Sequence, residues 1–134
     1  MKKALLILAA IFTMWTVASA QTKVKEINME EFMGLFNMET GAVAHPSVFD
    51  FNATWCGPCR QLAPILEELA TEYEGRVNFY SIDVDKNKEL AKALEIQSIP
   101  YVLFFAPGSE DPEEMVGLSS KEEVKAYIEK ILKK

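Results

Sequence analysis

Apolar positions along this chain recur at two different periods. Val24 to Ile27 predicts a short strand, and Asn28 can cap a helix over Met29 to Phe36 whose inner face carries Phe32, Leu35 and Phe36. Asn37 to Pro46, punctuated by Gly41 and Pro46, reads as a loop. Ser47 to Ala53 is then a dense apolar run of the kind a buried central strand requires. From Pro58 to Glu74 the spacing turns helical through Leu62, Ile65, Leu66, Leu69 and Tyr73, and Gly75 stands where a C-terminal cap belongs. Pro64 inside that stretch deletes one backbone hydrogen bond, which predicts a bend in a single helix.

Downstream, Val77 to Val84 predicts a second buried strand, Asn87 to Leu94 a short helix, and Tyr101 to Phe105 a strand following Ile99-Pro100. Glu113 to Val116 predicts an edge strand, and Ser120 caps a last helix packed through Val124, Tyr127, Ile128 and Ile131. The order β-α-β-α-β-α-β-β-α is that of an α/β layer structure. With no repeat or linker in between, it predicts one domain over residues 24–134.

The first twenty residues follow a different pattern. Met1-Lys2-Lys3 is a short basic start, Ala4 to Trp15 is apolar, and Ala18-Ser19-Ala20 has the small-x-small form that a signal peptidase reads. These features predict cleavage before Gln21 and a domain delivered outside the cytoplasm, in a bacterial envelope. An uncleaved anchor would need about 17 apolar residues, and Thr13, Thr16 and Ser19 weaken that alternative. Loss of Lys2 and Lys3 takes the net charge from −6 to −8. So acidic a domain, with no basic stripe, repels phosphate backbones and anionic membrane surfaces, which argues against nucleic acid as a partner.

Chemistry enters with Trp55-Cys56-Gly57-Pro58-Cys59-Arg60, which holds the only two cysteines of the chain. A chain of 134 residues that is 49% hydrophobic builds a core without disulfide staples, so the thiols need another reason to be there. At this spacing they can close a small ring. A helix beginning there stabilises negative charge on Cys56, while Gly57 allows a tight turn and Pro58 loses nothing at the first turn. Cys59 lies beneath Cys56, placed to attack a mixed disulfide. Metal sites share the C-x-x-C spacing, but two cysteines and one histidine are too few for a closed four-ligand set. A purely structural bridge would close too short a loop to stabilise much.

Those residues, with Phe49-Asp50-Phe51 before them and Leu62-Ala63-Pro64-Ile65-Leu66 after, closely resemble the thioredoxin family. Ile82-Asp83-Val84-Asp85, Ile99-Pro100 and Val116-Gly117 fall at the family's spacings, so the resemblance spans nearly the whole mature chain. It implies a thioredoxin-like fold, a central mixed β-sheet flanked by helices. It also implies a thiol–disulfide oxidoreductase with a redox-active Cys56–Cys59 pair and no metal or organic cofactor. Cys56 is then the attacking nucleophile, Cys59 the resolving thiol and Asp50 its proton acceptor. Asp50 also stands out physically: a carboxylate on a buried central strand loses hydration, which pushes its pKa up, although Asn52 two residues on can satisfy it structurally. The resemblance further implies a cis bond at Ile99-Pro100 and a substrate platform of Trp55, Gly57, Pro58, Ile99, Pro100 and Gly117. Trp55 as an ordinary surface aromatic and Gly117 as a strand-end turn remain alternatives.

Combined with the export signal, the expectation is a monomeric reductant of disulfides in exported proteins, resupplied by a membrane electron-transfer protein. A disulfide oxidase or isomerase, and a thioredoxin-like binding module with incidental thiols, are the alternatives. Three residues depart from the family pattern: Asn52 where tryptophan is frequent, Ser81 where a lysine often accompanies the acid, and Tyr101 where threonine is common. His45 reads as a solvated loop residue, and Glu67, Glu68, Asp83 and Asp85 as solvated charges.

Overall fold

Strand β2 (Ser47–Asn52) is the axis of the molecule, and its residues alternate between two buried faces. The computed structural model describes residues 22–134, and the leader expected over residues 1–20 lies outside them. Helix α1 (Met29–Gly34) joins β1 (Lys25–Glu26) to β2, and α2 (Gly57–Glu72) joins β2 to β3 (Asn78–Asp83). Helix α3 (Lys88–Ala93) leads to β4 (Tyr101–Phe105), β5 (Glu113–Val116) and α4 (Lys121–Leu132). The five strands lie in the order β1-β3-β2-β4-β5, with β1, β3 and β2 mutually parallel, β4 antiparallel to β2, and β5 antiparallel to β4.

The alternation of β2 divides the core in two. Val48 joins Leu62, Leu66 and Leu69 of α2, Val102 and Phe104 of β4, and Val124, Ile128 and Ile131 of α4. On the other face Phe49 and Phe51 meet Phe32 of α1, Leu90 of α3, Ile82 and Phe105. Phe32 stands edge-on to Phe49 at 4.9 Å between centroids, and Phe36 packs edge-on to Phe105 at 5.1 Å. Such pairs add about 0.5–1.5 kcal/mol each to the burial of their area. Asp50 and Asn52 share Val48's parity and so point toward α2.

The predicted elements all form, most of them shorter by a residue or two at their ends. Helix α2 runs unbroken through Pro64. The expected loop over residues 37–46 carries an isolated bridge between Phe36 and Val43, which buries Val43 in the aromatic core. Asn28 and Ser120 both close capping boxes, with Glu31 and Glu123 respectively. Ser120→Ala should therefore lower stability by about 1 kcal/mol, measured by denaturant unfolding, since it removes the acceptor for the Glu123 N–H at the head of α4. Asn87 precedes α3 without capping it. Its side chain accepts from the Met29 N–H at 2.9 Å and donates to the Asp83 carbonyl at 2.9 Å, tying α1 and α3 to the end of β3.

Candidate active site

The site forms where β2 ends and α2 begins, at the carboxyl edge of the parallel strands, where open α/β sheets place their reactive groups. Cys56 is the N-cap of α2: its extended backbone precedes the helix, and its Sγ accepts from the Cys59 N–H at 3.2 Å. A sulfur in that position meets an unpaired helix N–H and the positive end of the macrodipole, both of which favour a thiolate. The two cysteines are joined as a disulfide with their Cα atoms 5.3 Å apart. Both are largely buried, Cys56 at 5% exposed and Cys59 at 3%.

Gly57 and Pro58 are the first two residues of α2. The tight turn expected of Gly57 is not needed, because its φ is not positive, and a Cβ there would meet nothing within 4 Å. The Ile99-Pro100 peptide is cis, and Ile99 packs against the cluster of Ala53, Cys56 and Cys59. The Pro100 carbonyl accepts from the Gly117 N–H at 2.8 Å, which binds the end of β5 to this loop, and Gly117 adopts φ +87°. That positive φ is the strand-end turn glycine permits at little cost.

Trp55 is 69% exposed, and its indole N–H donates to Asp85 Oδ2 at 2.7 Å. Asp85 is therefore more than the solvated charge expected of it. Asp83 is buried, and its Oδ1 accepts from the N–H groups of Asp85 at 2.8 Å and Lys86 at 3.3 Å, fixing the turn that presents Asp85. Val84, on the same turn, packs against the disulfide cluster. Nothing within the Asp83-Val84-Asp85 run shows what the turn faces; only the fold does. His45 is exposed and precedes the opposite end of β2, away from the cysteines.

Asp50 lies at 4% exposure, and burial pushes its carboxyl up from 3.8 to about 7, an effect the Asn52 hydrogen bond only partly offsets. Asn52 Nδ2 donates to Asp50 Oδ2 at 3.1 Å, while Asp50 Oδ1 is buried without a partner among the described residues. Asp50 and Cys59 both line a cleft of about 540 Å³ between α2 and the β1 side of the sheet. Such an arrangement can cycle a disulfide and hold a proton beside it near neutral pH. Among the described residues no group of three His, Cys, Asp or Glu side chains converges to hold a metal ion.

Comparison with known proteins agrees with this chemistry. The Thioredoxin family model matches residues 23–130. A thioredoxin from Staphylococcus saprophyticus is 40% identical over 113 residues, covering 84% of this chain and 99% of that protein. A thioredoxin from Staphylococcus aureus is 43% identical over 83 residues, 62% of this chain and 79% of its own length. Among solved structures, chloroplastic thioredoxin z superposes with a TM-score of 0.73 at 30% identity, over 83% of this chain and 96% of its own. The fold, the capped Cys56–Cys59 disulfide and these relatives place the chain in the thioredoxin family, as a thiol–disulfide oxidoreductase with a redox-active disulfide.

Proposed function

We propose that this protein is a monomeric reductant of disulfides in exported proteins, working outside the cytoplasm once residues 1–20 are removed. The observation that carries the reaction is the placement of the disulfide: Cys56 caps α2, and Cys59 shares a cleft with the buried Asp50. In the reduced protein the Cys56 thiolate attacks one sulfur of a substrate disulfide, forming a mixed disulfide and releasing the other substrate sulfur as a thiolate. Cys59 then gives its proton to Asp50, and its thiolate attacks Cys56. The Cys56–Cys59 disulfide forms, the second substrate sulfur leaves as a thiolate while Asp50 holds the proton, and the substrate has gained two electrons.

Trp55, Pro58, Ile99 and Pro100 supply the surface around this chemistry, with Gly57 and Gly117 shaping its edges. Each turnover leaves the disulfide oxidised, so an extracytoplasmic reductant needs a membrane protein that carries electrons to it. The basic-apolar-small pattern of residues 1–20 supports export.

The reduction potential of the mature domain, equilibrated against a thiol buffer, tests the direction of flow. A value near the −270 mV typical of thioredoxin supports a reductant. One near the −120 mV of strongly oxidising envelope proteins would make the protein a thiol oxidase instead. Amino-terminal sequencing of the exported protein should begin at Gln21; an intact Met1 would overturn the cleavage reading in favour of an uncleaved anchor.

A further inference from the structure

Two positions that depart from the family pattern meet beside the buried acid. Asn52 Nδ2 lies 2.7 Å from Ser81 Oγ, 3.1 Å from Asp50 Oδ2 and 3.1 Å from the Asp50 carbonyl. An amide nitrogen has two hydrogens to offer, and here three acceptors surround it. The shortest contact claims one hydrogen for Ser81, which leaves the second shared between the carbonyl and the carboxylate of Asp50. Asp50 Oδ2 thus receives a fraction of one neutral donor, and Oδ1 receives none among the described residues. The register makes this contact, since Asp50 pairs with Ser81 across β2 and β3 and Asn52 follows on the same face.

We propose that Ser81 and Asn52 are positioning residues for Asp50: Ser81 draws the Asn52 amide away from the carboxylate, so that Asp50 stays under-solvated and keeps one oxygen open as a proton acceptor. This rests on the reading that Asp50 takes the Cys59 proton. No cation sits at either position. The charged and titratable groups that line the cleft are Glu26 of β1 and Cys59, Arg60 and Glu67 of α2, whereas β3 contributes Ser81 and β4 places Val102 opposite Asp50. The upward shift of the Asp50 carboxyl to about 7 agrees with a donor that is only shared.

The inference makes two opposite demands. Ser81→Ala removes the competing acceptor, so the full N–H turns to Asp50, stabilises its charged form and moves its titration to lower pH. Asn52→Leu keeps the bulk and removes the donor, so the titration moves to higher pH. A hydrogen bond to a charged group corresponds to roughly one pH unit in each direction. Ser81→Thr, which keeps the hydroxyl, should restore the original value.

The experiment follows the Asp50 carboxyl by 13C NMR across pH 4 to 9 in the oxidised full-length chain and its variants. In parallel, stopped-flow measurement follows the pH midpoint for resolution of a mixed disulfide preformed with a small aromatic thiol. Opposed shifts in the two variants, with rescue by threonine, support the relay. Unmoved midpoints, or shifts of the same sign, overturn it. Should Asn52→Leu fail to fold, the downward shift in Ser81→Ala and its rescue decide the matter alone. Asp50→Asn separates the two levels: if it leaves resolution unchanged, the acceptor reading itself falls, whereas slowed resolution with unmoved midpoints rejects the relay only.

Discussion

Asp50→Asn should make the oxidised protein more stable at neutral and alkaline pH, by about 2–4 kcal/mol, and slightly less stable near pH 4. In the unfolded chain this carboxyl titrates near 3.8, and in the folded protein at about 7. Between those values the folded state keeps a proton that the unfolded state has released, so the wild type loses stability as pH rises through the window. Each pH unit of difference is worth about 1.4 kcal/mol, so the full cost approaches about 4 kcal/mol above pH 7. Asparagine carries no charge and removes that dependence. Its own buried amide lacks a full set of partners, which is why the gain falls short of the maximum. Denaturant unfolding of both proteins at pH 4.5 and pH 8 measures the effect, and a difference that is the same at both pH values would contradict it. The wild type therefore carries a destabilising acid at its centre, which is expected of a group kept for its chemistry.

The largest effect on activity belongs to the cysteines, and the two should fail differently. Cys56→Ser leaves no nucleophile at the head of α2, so disulfide reduction falls to the uncatalysed rate and no mixed disulfide forms with substrate. Cys59→Ser also stops turnover, but it keeps the sulfur that caps the helix. That variant should accumulate a mixed disulfide at Cys56, because the thiol that would displace the substrate is gone. Non-reducing electrophoresis and mass spectrometry of intact adducts distinguish the two. If Cys59→Ser forms no adduct while Cys56→Ser does, the order of attack is reversed.

Much of this fold was legible from residue pattern because its elements carry strong local signals. The run from Val48 to Phe51 has the density of a strand buried on both faces, and the leucines of α2 repeat at helical spacing before Gly75. Asn28 with Glu31, and Ser120 with Glu123, are capping boxes written in four residues each. The cysteine pair was equally plain, since its spacing and its place at a helix start are local properties. Gly57 shows the limit of such reading. The residue suggested a tight turn, yet its backbone lies in the first turn of α2.

Contacts between distant residues carried no local signal. Asp85 and Trp55 are thirty positions apart, and their hydrogen bond exists because the turn after β3 comes up beside the start of α2. Ser81 and Asn52 read separately as departures from a pattern, and only the parallel register of β2 and β3 makes them one network around Asp50.

The sequence by itself determined the elements, their order, the two-sided burial of β2 and the reactive pair, because each depends on neighbours within a turn of helix or a few residues of strand. The tertiary structure decided how far Asp50 is desolvated and which of its oxygens has a partner. It also decided that Val84 and Ile99 press on the disulfide. Those properties are set by strand register and by the packing of α2 on the sheet, which bring together groups that the chain keeps tens of residues apart.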